Sequence, residues 1–147
     1  MELKNIIYQN TILLDCQMKK RSEVFAYFAD KLYDSHLIGS KEMFIQELNQ
    51  KEEEISTAIG YEIALPHIQS DNITHPIVSF LRSQDGIHWE DPENSRVKLI
   101  FLIAVPTHLV GEHINILATL SRKLMQPEVR ARLLKMKTPS EIFQILT

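Results

Sequence analysis

The stretch Leu99-Ile100-Phe101-Leu102-Ile103-Ala104-Val105 carries no polar residue on either of the two alternating faces that a β-strand presents. Such a strand needs both faces covered, which is the situation of a central strand with helices packed on each side of a sheet. The rest of the chain has the periodicity to supply those covers. Val24, Phe25, Phe28 and Leu32 recur at helical spacing behind a capping Ser22 and ahead of Gly39, a residue suited to a C-terminal cap. Ser40 opens a second helix, with Met43, Phe44 and Leu48 on one side and the acidic run Glu52-Glu53-Glu54 as a solvated end. After Gly111 the stripe of Ile114, Leu117, Leu120 and Leu124 marks a third helix, and Pro127 and Pro139-Ser140 open two shorter ones. Thr11 to Leu14, Ile63 to Leu65 and Ile77 to Leu81 are short β-prone runs bounded by turn residues. The order β, αα, βββ, ααα predicts an α/β fold: a three-layer α/β/α sandwich, one mixed sheet flanked by helices on both faces.

At 147 residues, without low-complexity segments or a visible linker, residues 1–147 read as a single domain. Sixteen Lys plus Arg against 19 Asp plus Glu leave a net charge of -3, so nucleic acid is not an expected partner. No apolar run approaches the roughly 20 residues that cross a bilayer, and Met1-Glu2-Leu3-Lys4-Asn5 lacks a secretory pattern. With Cys16 as the lone cysteine, a reducing, cytoplasmic setting without membrane insertion is expected. Four glycines, Gly39, Gly60, Gly86 and Gly111, cannot assemble a phosphate-cradling loop or a dinucleotide fingerprint, so no nucleotide cofactor is expected. His108 and His113 straddle Gly111 without a carboxylate at ligand spacing, which argues against metal and against a hydrolase built on His67, His108 and His113.

What remains for chemistry is the histidines, six in all. His67 follows Ile63-Ala64-Leu65-Pro66, where a buried strand runs out and a proline fixes the chain direction. It is either a solvated loop histidine or a side chain facing a cleft at the strand end. His113 stands in the first turn of the third helix, on its apolar stripe. It is either a satisfied core histidine or a neutral imidazole, kept so by the helix N-terminus, that donates to a phosphate held beside the free amides. His75 and His88 read as solvated, and Trp89 as a packing residue at a hairpin edge.

Glu52, Ser56-Thr57, Ile59-Gly60 and Ile63-Ala64-Leu65-Pro66-His67 stand in one register. That register resembles the phosphohistidine signature of the fructose/mannitol type of enzyme IIA, from the phosphoenolpyruvate-dependent sugar phosphotransferase system. Trp89, Val97 to Pro106, His113 and Leu117 to Met125 are similar to its fructose branch. The resemblance implies that His67 is phosphorylated and that His113 stabilises the phosphate. It also implies phosphate contacts for Lys51, where the family usually has arginine, and a place near the phosphate for Thr57, whose hydroxyl otherwise satisfies backbone in the turn. Ile68 stands where a small residue is common, which would make the entrance bulkier. The implied partners are the histidine phosphocarrier protein HPr as donor and a IIB cysteine as acceptor, during sugar uptake. The alternative is a regulatory module that uses the same phosphorylation as a switch.

Overall fold

The computed structural model describes residues 2–90 and 95–147. One six-stranded mixed sheet is built around β6 (Ser95–Val105), which pairs antiparallel with β5 (Ile77–Glu90) along one edge. Its other edge receives two short parallel strands in series, β3 (Ile63–Ala64) beside Leu99 and Ile100, then β4 (His67–Gln69) beside Ile103 to Val105. Strand β1 (Leu13–Cys16) lies parallel to β5, and β2 (Ala58–Gly60) forms a hairpin with β3. The layers follow from the alternation along β6. Ile100, Leu102 and Ala104 pack with α1 (Arg21–Asp34) and α2 (Lys41–Glu54), through Phe25, Phe28, Phe44 and Leu48. Leu99, Phe101, Ile103 and Val105 face the other way, onto α3 (Glu112–Leu124), α4 (Pro127–Leu133) and α5 (Pro139–Leu146). The expected three-layer sandwich is present, and Trp89 is a packing residue, buried edge-on against Phe25 at 5.7 Å.

Several boundaries differ from the sequence reading, each for a local reason. Thr11 belongs to a short 3-10 turn, because its hydroxyl is shared with the Tyr8 carbonyl and the Ser79 hydroxyl; β1 therefore starts at Leu13. Helix α1 begins one residue before Ser22, because the Glu23 carboxylate reaches back to accept from the Lys19 and Lys20 amides. It ends with His36 in the left-handed region (φ 60°), so Gly39 is no cap. Gly39 is small because the Asn72 amide oxygen, which accepts from the Gly39 and Ser40 amides, would lie 3.2 Å from any Cβ there. Ser40 does cap α2, accepting from the Met43 amide. Met43 and Ile114 are exposed; the buried stripe of α3 is Ile116, Leu120 and Leu124. Strand β5 continues to Glu90 through an irregularity at Gly86 (φ 95°), a glycine that reads in sequence as a turn. Glu52 is buried and not solvated.

Phe101 has no exposed surface and lies 4.8 Å from the Phe80 ring in the layer under α3 to α5. Phe101→Ala is expected to lower the unfolding free energy by about 3 to 5 kcal/mol, measured by urea denaturation. A loss below about 1 kcal/mol would contradict a central role for β6.

Candidate active site

His67 follows the end of β3, as expected, and it also opens a new strand, β4. The chain leaves the edge of β6 at Leu65, whose amide donates to the Thr57 carbonyl at 2.9 Å. Pro66, which has no N–H to offer a ladder, gives its carbonyl to the Ile103 amide at 3.0 Å. His67 then re-enters the sheet opposite Ile103. Within this two-residue detour the Leu65 carbonyl lies 2.8 Å from His67 Nδ1. A carbonyl can only accept, so Nδ1 carries the proton and Nε2 keeps its lone pair. The group that fixes the tautomer is thus main chain, two residues upstream.

His67 is half-buried in an open cleft of about 380 Å³. Gln69 and Ile68 flank it on β4, Lys51, Glu47, Gln50 and Glu54 line it from the last turns of α2, and His113 closes it from α3. Ile68 does not crowd the entrance: it is 6% exposed and packs into the α1–α2 core. His113 reaches the cleft because Gly111, in the left-handed region (φ 77°), turns the chain into α3. The turn before it is strapped to β4, with the Gln69 amide nitrogen donating to the Thr107 and Leu109 carbonyls and the Thr107 hydroxyl donating to Asp71.

Burial pushes the His113 imidazole below its ordinary 6.5, and the Lys51 cation, joined by His67 whenever that ring is protonated, pushes it the same way. It is therefore neutral at pH 7. Its Nδ1 is buried without a hydrogen-bond partner. An unmet buried N–H is the costlier arrangement, so the proton belongs on Nε2, where it can be donated into the cleft. Lys51 adds a cation from the α2 side. Beside the carboxylates of Glu47, which accepts from the Ser70 hydroxyl, and Glu54, the cleft offers an imidazole nitrogen with a free lone pair, a neutral donor and a positive charge, a combination suited to an anion that becomes covalently attached.

Thr57 is not among the residues lining this cleft. It is 5% exposed, and its hydroxyl and amide both donate to the Glu52 carboxylate. His36, His75, His88 and His108 also lie outside the cleft lining. Among the described residues no group of three or more His, Cys, Asp or Glu side chains could hold a metal ion, and no helix is long and apolar enough to cross a membrane. Sequence reasoning missed the Leu65 carbonyl and the Gln69 strap. Main-chain acceptors leave no composition signal, and Gln69 belongs to a three-residue strand, β4, too short to show an alternating pattern.

The sequence model of the family described as "Phosphoenolpyruvate-dependent sugar phosphotransferase system, EIIA 2" matches residues 5–147. The chain belongs to this family. It is 31% identical to the "PTS system fructose-specific EIIA component" of Haloferax volcanii, over 82% of this chain and 78% of that protein. It is 27% identical to the "PTS system fructose-specific EIIABC component" of Bacillus subtilis over 99% of its own length, but spans 23% of that larger protein. Among solved structures, nitrogen regulatory protein IIA-Ntr from Neisseria meningitidis superposes with a TM-score of 0.89 at 26% identity, covering 98% of each chain. Mannitol IIA from Escherichia coli, at 21% identity and a TM-score of 0.81 over 95% of this chain and 98% of that one, shares the fold. This protein is therefore an enzyme IIA domain of the fructose/mannitol type, in the sugar phosphotransferase system.

The depressed basicity of His113 depends partly on Lys51. In an NMR titration His113 is expected to have its midpoint below 6.5, and Lys51→Met to move that midpoint upward. Because the folded value is depressed, this group's contribution to stability is full above the unfolded pKa and is lost as pH falls through the folded one. A His113 midpoint above 6.5, unmoved by Lys51→Met, would contradict the placement of these groups around one cleft.

Proposed function

We propose that this IIA domain is a phosphocarrier, accepting a phosphoryl group on Nε2 of His67 and releasing it to a cysteine of a IIB partner during sugar uptake. The observation that carries the reading is the hydrogen bond from Nδ1 of His67 to the Leu65 carbonyl, which leaves Nε2 unprotonated in a cleft shared with His113 and Lys51. The donor would be the phosphohistidine of the carrier protein HPr. Its P–N bond breaks as the P–Nε2 bond forms in line, and its released nitrogen keeps the bonding pair as its lone pair. In the second transfer the P–Nε2 bond breaks as a IIB thiolate attacks phosphorus. Neither step needs a nucleotide, because phosphohistidine is already an activated donor and the protein supplies position and charge.

His113 and Lys51 would act on the phosphoryl oxygens. A neutral His113 can stay beside His67 and donate its N–H to a phosphoryl oxygen, a hydrogen bond strengthened by that oxygen's charge. Lysine supplies charge without the planar fork of an arginine, so its contact is that of a point charge. A solved structure titled as a complex of mannitol IIA with phosphorylated mannitol IIB, at 20% identity and a TM-score of 0.81, supports a IIB protein as the class of partner. The Neisseria regulatory protein, equal in extent to this chain, favours a second reading: the same phosphorylation used as a regulatory switch.

Incubation with phosphoenolpyruvate, enzyme I and HPr is expected to add one phosphoryl group by intact mass, and His67→Ala to abolish it. His113→Ala should still be modified, but about 10- to 150-fold more slowly, as for a lost charged hydrogen bond of about 1.5 to 3 kcal/mol. Lys51→Met should slow transfer and Lys51→Arg retain it. Modification of His67→Ala with loss in His113→Ala would reverse the roles. Passage of the group to a fructose-type IIB domain supports transport, and its retention supports the switch.

A further inference from the structure

Glu52 lies next to Lys51 on α2 but does not line the cleft, its side chain being 1% exposed. Its carboxylate accepts from the Thr57 amide at 3.1 Å and from the Thr57 hydroxyl. Arg21 approaches to 3.9 Å and is itself held by donating to the Trp89 carbonyl at 2.8 Å. Thr57 in turn gives its carbonyl to the Leu65 amide, and the Leu65 carbonyl is the acceptor for His67 Nδ1. From these contacts we propose that Glu52 is a positioning residue for His67, acting through Thr57 and the Leu65 peptide to hold the imidazole in its Nδ1–H form.

The physical case rests on what else could hold that peptide. Leu65 sits where β3 has left β6, so its carbonyl is outside the regular ladder that fixes its neighbours. The following residue, Pro66, has no N–H to add. Thr57 holds the chain at the Leu65 amide, on the peptide plane just before the one that carries the Leu65 carbonyl, and Ile103 holds it just after at the Pro66 carbonyl, so the direction of the Leu65 carbonyl depends on the Thr57 anchor. Thr57 follows the end of α2 at Glu54 and precedes the hairpin of β2 and β3, whose turn holds Gly60, Tyr61 and Glu62 all at positive φ. A segment of that kind keeps its place only if tied, and the buried carboxylate of Glu52 is the tie. An apolar side chain at position 52 would pack in the same space but leave the Thr57 amide and hydroxyl buried and unmet.

The test reads the unphosphorylated protein first. Nitrogen-15 NMR of the imidazole side chains should show His67 protonated at Nδ1 in the wild type and in Thr57→Ser. In Thr57→Val and Glu52→Leu the proton should redistribute toward Nε2. The rate of phosphorylation by HPr should fall by about five- to tenfold in Thr57→Val, with Thr57→Ser restoring it, as for loss of one buried hydrogen bond. Thr57→Val alone decides the matter if Glu52→Leu does not fold. Wild-type imidazole shifts and a transfer rate within about twofold in folded Thr57→Val, with only a lowered melting temperature, would overturn the inference and leave Glu52 a structural tie. The transfer arm rests on the proposed function. A wild-type protein that shows the Nδ1–H form but takes no phosphoryl group would overturn that function and not the positioning of His67.

Discussion

Strand β6 has to be covered on both faces and paired along both edges, and the positions of the other elements follow from that requirement. Its alternating residues divide the core into two layers, one under α1 and α2, the other under α3 to α5. Its antiparallel edge is filled by β5 along most of its length. Its other edge is filled by two short strands with a two-residue gap between them, and the site is built at that gap. Helices from both layers, α2 and α3, then bring Lys51 and His113 to the same cleft as His67. A three-layer sheet protein commonly places its chemistry where strands end. Here the place is an interruption within one sheet edge, where main-chain groups are freed from the ladder.

The freed Leu65 carbonyl gives the site its chemical direction. By accepting from the Nδ1–H it leaves the lone pair of His67 on Nε2, the atom proposed to react. His113 contributes a neutral donor because burial, and the nearby Lys51 cation, disfavour its protonation. Lys51 is set among the carboxylates of Glu47 and Glu54, an arrangement that suits the proposed carrier role, in which the group has to leave again. A phosphate bound by several guanidinium groups would be stabilised in the carrier state and slow to pass on.

His67 and His113 were both legible in the sequence because each sits at a boundary marked by special residues, Pro66 before one and Gly111 before the other. Lys51 was legible only through family resemblance, since nothing in a helical run of charges marks the residue that turns inward. The same blindness hid Glu52, one of three consecutive acidic residues, whose burial depends on how α2 lies against the β2 turn. Thr57 was placed near the phosphate by its neighbours in the motif, and the structure shows its hydroxyl donating to Glu52. The sandwich itself followed from periodicity, but β2 and β4 did not, because three-residue strands carry too few residues to show alternation.

One bond organises the site, that from Nδ1 of His67 to the Leu65 carbonyl, and it makes Nε2 the proposed reacting atom. Nitrogen-15 NMR of the phosphorylated protein, with labelled imidazole nitrogens, tests it directly. The expected spectrum shows phosphorus coupled to Nε2 of His67, with Nδ1 of the same ring still protonated. Phosphorus coupled to Nδ1 of His67, or to either nitrogen of His113, would contradict the account.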